Sequence, residues 1–281
     1  MAITNIANVF SPILLEALNA RLTYSALFNT DFQGSVTHGN KVSILNLDPV
    51  TVGAYTIDTA IDYQLLSDTK QEMAINQQSY FAVSLDDIDR VQSNADLMGA
   101  MARNASYQMQ KTIDGFLATT ASAGAGIVAG LGTSGTPLEV NSANVLDVLR
   151  NISRKLDEAN VPRSGRSIIV PPWFAQKILL AGIVEATNNS EMLLNGYVGR
   201  YAGFDIFMTT LVPNTTGAKW EILAGTNIAG TMALQLSQVE KIRLETHFAD
   251  AIRGLAVYGS KITRPATLAR AICNEAAEPE L

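Results

Sequence analysis

From Tyr80 to Leu85 apolar and polar residues alternate, with Phe81, Val83 and Leu85 on one side, and the alternation stops at the acidic run Asp86-Asp87-x-Asp89. A period of two predicts a strand. From about Asp96 to Ala121 the period lengthens. Met98, Ala102, Ala105, Met109, Ile113 and Phe116 recur at spacings of three and four without a proline, the stripe of a long amphipathic helix. Gly99 and Gly115 lie inside it; each weakens a helix by up to about 1 kcal/mol relative to Ala, and both give it places to bend.

Ahead of this pair the pattern is sparser. Ser11-Pro12 is a helix start, and Leu14, Leu18 and Leu22, with Leu15 and Phe28, give the following segment one sticky face. Residues 34–84 have β character. Lys41–Leu47 reads as a strand, Val50–Tyr55 as extended, and Glu72–Asn76 and Tyr80–Ser84 as further strands. The middle of this region, Thr56–Thr69, has Asp58, Asp62 and Asp68 and little that packs. A ribbon with a polar far end forms no core alone. It is either a meander folded over the main body or an arm resting on another subunit.

Beyond the long helix comes a Gly-rich loop, Ala121–Pro137. Asn141-Ser142 then caps a second helix with Val145, Leu149, Ile152, Leu156 and Ala159 on one face, ended by Pro162. Ser167–Val170 is a short buried strand and Trp173–Leu180 a short helix. Gly203–Thr210, Lys219–Ala224, Thr231–Ser237, Val239–Thr246 and Leu255–Ile262 read as strands. The fold class is α+β.

The 281 residues are 47% hydrophobic but only 16% charged, below the roughly 25% of ordinary soluble domains. With 7% aromatics an outsized core is the less natural explanation, so much of the surface faces other protein. A formal net charge of −6 argues against a dedicated nucleic-acid binder. The lone Cys273 excludes an intrachain disulfide framework. The N-terminus lacks a signal-peptide pattern, and no apolar run is long enough to span a bilayer, so no membrane partner is expected.

Specific chemistry is thin. Asp86-Asp87-x-Asp89 lacks the extra donors, Gly and terminal Glu of a calcium loop, and complementing a helix N-terminus accounts for it. Gly124-x-Gly126-x-x-x-Gly130 lacks the Lys-Ser/Thr and the strand–helix context of a phosphate loop, which leaves a flexible surface loop. His38 and His247 share no metal-ligand spacing with each other or with Cys273. Trp173 and Trp220 read as core or interface anchors. Arg150, Arg154, Lys155, Arg163 and Arg166 cluster in sequence, either facing DNA or forming a solvated helix face. No catalytic, cofactor or metal residue stands out.

The order arm, ribbon, acidic hinge, long helix, α/β region and returning strands resembles the HK97-type fold of tailed-bacteriophage major capsid proteins. The resemblance rests on Asp31-Phe32-Gln33-Gly34, Gly39-Asn40-Lys41-Val42 and Val83-Ser84-Leu85-Asp86-Asp87-Ile88-Asp89, with late Tyr258-Gly259 and Arg264-Pro265. It implies an N-terminal arm (1–35), an extended loop (36–76), a peripheral domain with a long spine helix (77–122 and 238–281) and an axial α/β domain (123–237). It further implies self-assembly as pentamers and hexamers into an icosahedral shell around double-stranded DNA, touched non-specifically. The chain begins at the arm, so a scaffolding protein would be separate; a portal and a decoration protein are further expected partners. The expected location is the virion capsid, after synthesis in the host bacterial cytoplasm. An encapsulin-like nanocompartment shell and, further off, a soluble α/β enzyme are the alternatives. The expected contacts between subunits pair ribbon charges (Lys41, Asp62, Asp68, Lys70, Glu72) with a neighbour's long helix (Asp96, Arg103, Lys111, Asp114). No covalent cross-link is expected, because the ribbon lysines Lys41 and Lys70 have no partner motif.

Overall fold

The computed structural model describes residues 22–31, 41–47, 52–54, 57–58, 68–87, 97–181 and 197–278. Among the described residues the long α-helices are α1 (Leu97–Gly124), α2 (Val145–Glu158) and α3 (Pro172–Leu180). Twelve strands follow the order β1 (Phe28–Asn29), β2 (Lys41–Leu47), β3 (Asp68–Ala74), β4 (Gln77–Asp86), β5 (Leu138–Val140), β6 (Arg166–Val170), β7 (Tyr197–Tyr201), β8 (Phe204–Met208), β9 (Trp220–Thr226), β10 (Gly230–Arg243), β11 (Ala249–Ile262) and β12 (Leu268–Glu275). The predicted helix start at Ser11-Pro12, His38, Asp62, Asp89 and Asp96 lie outside the described residues, as does half of Val50–Tyr55.

Two sheets carry two cores. The first has order β1-β10-β11-β4, and the inward stripe of α1 packs on it. Met109, Ile113, Leu117 and Ala121 meet Leu234, Ile252, Ala256 and Tyr258, and the Phe116 ring stands edge-on to Tyr258 with centroids 5.4 Å apart. The sequence stripe therefore continues past Phe116 through Leu117 and Ala121. The second sheet, β5-β12-β9-β6-β8-β7, is covered on one face by α2 and α3. Alternation sorts its faces: Ile168 and Val170 of β6 and Ile222 and Ala224 of β9 point to α2, while Ile169 and Leu223 join the first core. One sheet thus welds both cores together.

Three expectations need correction. Thr231–Ser237 and Val239–Thr246 are a single strand, β10, interrupted by a bulge between Leu236 and Gln238. The apolar face running from Leu22 to Phe28 is not one helix: Tyr24–Leu27 is a 3-10 turn, and Phe28–Asn29 pairs in parallel with Gly230–Thr231. The Gly-rich loop is not a loose surface loop. Ile127 bridges to Ala269, and a Cβ on Gly126 would lie 2.6 Å from the Pro265 carbonyl. Gly132, at φ +83°, would bring a Cβ to 2.4 Å from the Ile272 carbonyl, so these glycines serve close approach to β12.

The expected boundary at 237/238 falls within β10, and β12 belongs to the six-stranded sheet with β9.

Candidate assembly interface

β2 and β3 pair antiparallel, Lys41 opposite Ala74 and Leu47 opposite Asp68, and form the ribbon. Its root is fixed to the body. Val42, Ile44, Met73 and Ile75 bury against Ala233 and Val257, and Lys261 donates to the Glu72 carbonyl at 3.0 Å. A Cβ on Gly259 would lie 2.4 Å from the Ala74 carbonyl, so the ribbon backbone rests directly on β11. The root folds over its own body, as the first sequence alternative has it, and residues 52–54 and 57–58, farther along, are exposed.

The expected interface charges separate into different environments. Lys41 and Glu72 pair with each other across the ribbon at 2.8 Å, which raises the lysine and lowers the glutamate from their ordinary ranges. Arg103 and Lys111 are exposed on α1. Asp68 and Lys70 take their backbone places in β3, opposite Leu47 and Leu45. Asp114 is a correction: it is 2% exposed and turned inward, where its carboxylate accepts the backbone N–H of Tyr24 at 3.0 Å and of Thr23 at 3.2 Å. Burial pushes its acid constant up to about 6, against the lowering effect of the Tyr24 and Thr23 donors. It anchors its own N-terminal segment and is not available to a neighbour.

The acidic hinge also has a specific partner. Arg243, at the end of β10, donates to Asp87 Oδ1 at 2.8 Å and grips the second carboxylate oxygen as well; it also reaches Asp250 Oδ1 at 3.2 Å. Lys241 pairs with Asp250 at 3.1 Å, the main reason that carboxyl sits below its usual range. The Asp87 N–H donates to the Phe248 carbonyl at 3.0 Å. Asp87, the residue that follows β4, thus also takes part in a cross-strand ion cluster that braces the tip of the β10–β11 hairpin.

The basic run around α2 is internally paired. Arg150 meets Asp147, Arg154 and Lys155 meet Glu158, and Arg163 and Arg166 share Asp157. Arg166 is buried, and it also donates to the carbonyls of Pro162 and Val161 at 2.9 and 2.6 Å. Arg163 foremost, with Arg166, holds the Asp157 carboxyl below its usual range. Of the two sequence readings, the arrangement favours a solvated helix face whose cations share nearby carboxylates.

Large apolar side chains left in the open are what the sequence reading missed. Val52 (93%), Ile57 (88%), Phe248 (82%) and Tyr80 (80%) are the most exposed, with Leu179 and Leu180 at the end of α3. They are spread over the ribbon, a hairpin tip, an outer strand and a helix end, more sites than one small ligand would cover. Periodicity does not reveal such residues: Val52 and Ile57 lack a repeating neighbour, and Tyr80 sits on the polar face of its strand.

Among the described residues no three His, Cys, Asp or Glu side chains gather into a metal site. The exposed His247 exchanges a hydrogen bond with Thr246 Oγ1 at 2.8 Å. Cys273 is buried, and its thiol is pushed up to about 12. No helix among the described residues is long and apolar enough to cross a membrane.

The family model for phage capsid protein matches residues 69–271. No curated protein matches the sequence. Among solved structures, a chain of Mycobacterium phage Che8 is 25% identical and superposes with a TM-score of 0.71 over 88% of this chain and 90% of that one. The capsid structure of cyanophage P-SCSP1u is 14% identical, with a TM-score of 0.68 over 86% and 85%. The mature capsid of bacteriophage PhiM1 is 16% identical, with a TM-score of 0.62 over 90% and 89%. With a fold shared along nearly its whole length, a family match over most of it, and apolar side chains held out on four separate elements, this chain belongs to the phage capsid protein family as a major capsid protein of HK97-like fold.

Proposed function

We propose that copies of the chain tile as pentamers and hexamers into an icosahedral shell around double-stranded DNA, with the ribbon of each copy lying over its neighbour. The observation that carries this reading is the exposure of Val52 and Ile57 beyond a root clamped to β11. A segment held out from its own body leaves apolar surface for another copy to cover. Each contact can be modest, because a closed shell requires many to break together. The proposed roles are arm for 1–35, extended loop for 36–76, peripheral domain for 77–122 with β10 and β11, and axial domain for 123 to β9 with β12 joined to its sheet. Lys70, Arg103 and Lys111 remain interface charges in this reading. Exposed pairs are worth about 0–1 kcal/mol each, so they set register more than strength.

DNA contact would be non-specific, consistent with the net charge of −6 and the self-paired arginines of α2. A separate scaffolding protein, a portal and a decoration protein complete the proposed partners, and the product is the virion capsid built in the host cytoplasm. No residue is assigned to catalysis. Size-exclusion chromatography followed by electron microscopy tests the proposal. It expects megadalton shells, with nuclease-protected DNA in particles from infected cells. Shells holding protein cargo instead would identify a nanocompartment; a compact small oligomer would end both readings.

A further inference from the structure

Between β4 and α1 runs a groove of about 470 Å³. Phe81 and Val83 line it from the strand and Met101, Ala105 and Met109 from the helix, and none of the lining residues is charged. β4 is the outer strand of its sheet, hydrogen-bonded to β11 alone among the described residues, so a free backbone edge runs beside the trough. Such a trough at an open strand edge is a surface that proteins normally cover. We propose that its occupant is the ribbon of a second copy, with Ile57 seated against Phe81 and Met101 and Asp58 on Lys111. The proposal rests on the shell reading above and adds to it the place where the ribbon lands.

Three observations select this occupant. The first is the face from which a ribbon sets out. Pleating sends alternate residues of a strand to opposite faces. Ala233 and Val257 carry the ribbon root, whereas Leu234, Ile252 and Tyr258 pack in the core that α1 covers. The root therefore leaves from the face opposite α1, and the groove lies on the α1 side. The second is charge. From Leu97 to Gly124 the charged residues are Arg103, Lys111 and Asp114, and Asp114 is turned inward. Lys111 is exposed, has no ion pair among the described residues, and follows the groove-lining Gln108 by three positions, so the two are neighbours on the helix surface. An uncharged trough with a cation at its rim suits an apolar side chain followed by a carboxylate. The third is that Ile57-Asp58 is such a pair and stands uncovered, both residues being exposed. One chain thus carries an open seat and an unseated side chain that its own fold does not join, the two halves of a head-to-tail contact between copies.

Disulfide trapping in assembled particles tests the seat. Cys273 is buried, so Ile57→Cys with Met101→Cys in the full chain reports on one pair. Mild oxidation is expected to join more than half of the chains to one another, seen as a ladder of multimers on a denaturing, non-reducing gel. Ile57→Cys alone is expected to stay unlinked. A faster monomer band from the pair would put the chain's own ribbon in the groove, and equal linking of the single variant would mean contact between ribbons; either result overturns the proposal. Unlinked chains in well-formed particles would overturn the seat and leave the shell reading standing, whereas an unsubstituted chain that forms no particles would remove both. Lys111→Glu and Asp58→Lys are each expected to lower particle yield and together to restore it; no loss, or no recovery, would overturn the pairing. Hydrogen exchange of the unsubstituted chain covers the case in which the variants do not assemble. Amides of Ser79–Val83 on the free edge of β4 are expected to exchange about tenfold more slowly in particles than in dissociated subunits. Unchanged exchange there would overturn the proposal.

Discussion

Lys177 of α3 donates a hydrogen bond to Glu278 Oε1 at 2.7 Å, across a hundred residues of chain. The ammonium is buried and also donates to the Ala276 carbonyl at 2.9 Å. The other Glu278 oxygen accepts the Ser142 N–H at 3.1 Å, just ahead of α2. One carboxylate thus ties the chain's end to two helices. Lys177 first, then Ser142, lowers the Glu278 carboxyl to about 2. Ending the chain at Glu275 removes the ammonium's two nearest acceptors and leaves it the Glu275 carboxylate at 3.7 Å. Thermal unfolding is expected to show the truncated subunit melting below the full chain. Its melting should also lose the Glu278 pH dependence. Because the folded value is depressed, that contribution is present above the ordinary carboxylate range and disappears as pH falls toward about 2.

Asp114 has the opposite sign. Its folded acid constant, about 6, lies above the ordinary 3.8, so its stabilising contribution is complete below 3.8 and is lost as pH rises through 6. The wild-type subunit should therefore gain stability from this group between pH 7 and pH 5. Asp114→Asn should lack that gain, and chemical denaturation of both proteins across the range measures it. Asp114→Ala leaves the buried Tyr24 N–H and the part-buried Thr23 N–H without their acceptor and should destabilise the subunit, more at pH 5 than at pH 7.

Two glycines should respond in opposite ways to the same substitution. A methyl on Gly115 meets nothing within 4 Å, so Gly115→Ala should stabilise the subunit by up to about 1 kcal/mol through helix propensity alone. Chemical denaturation measures that gain. Gly259→Ala would force a methyl into the Ala74 carbonyl and should destabilise by about 1–3 kcal/mol, lifting the ribbon root first. Hydrogen exchange of β2 and β3 reports that lift.

Phe248 separates assembly from folding. Phe248→Ser removes an exposed ring from a hairpin tip and should leave subunit melting within about 0.5 kcal/mol of wild type. Particle yield should fall severalfold. A charge reversal at Arg103 is expected to act in the same direction but more weakly, since exposed pairs contribute little. Sedimentation of lysates gives both yields.

Much of the framework is legible from local pattern. The period of three and four places α1 and α2 within a few residues of their ends, alternation finds β4 and β8, and short apolar runs mark β6 and β9. The misses share a physical cause. β12, Leu-Ala-Arg-Ala-Ile-Cys-Asn-Glu, is rich in small residues with weak strand preference; its place comes from β9 and β5 on either side. The 3-10 turn at Tyr24 interrupts an apolar run because a carboxylate ninety residues away holds its N–H groups. Asp114 reads as a surface charge for the same reason, since the donors that let it be buried lie in a distant segment. The ribbon charges suggested electrostatic docking, yet Lys41 and Glu72 satisfy one another. Isolated exposed residues such as Phe248 carry no periodic signature.

The contact of Ala74 with Gly259 leaves no slack for a pivot where the ribbon departs from the body. A torque applied far out on the ribbon must pass into β11, and from β11 into the spine helix packed upon it. If a neighbour bears on the ribbon as proposed, each subunit is in this sense a lever with a stiff fulcrum, passing that neighbour's displacement on to its own core.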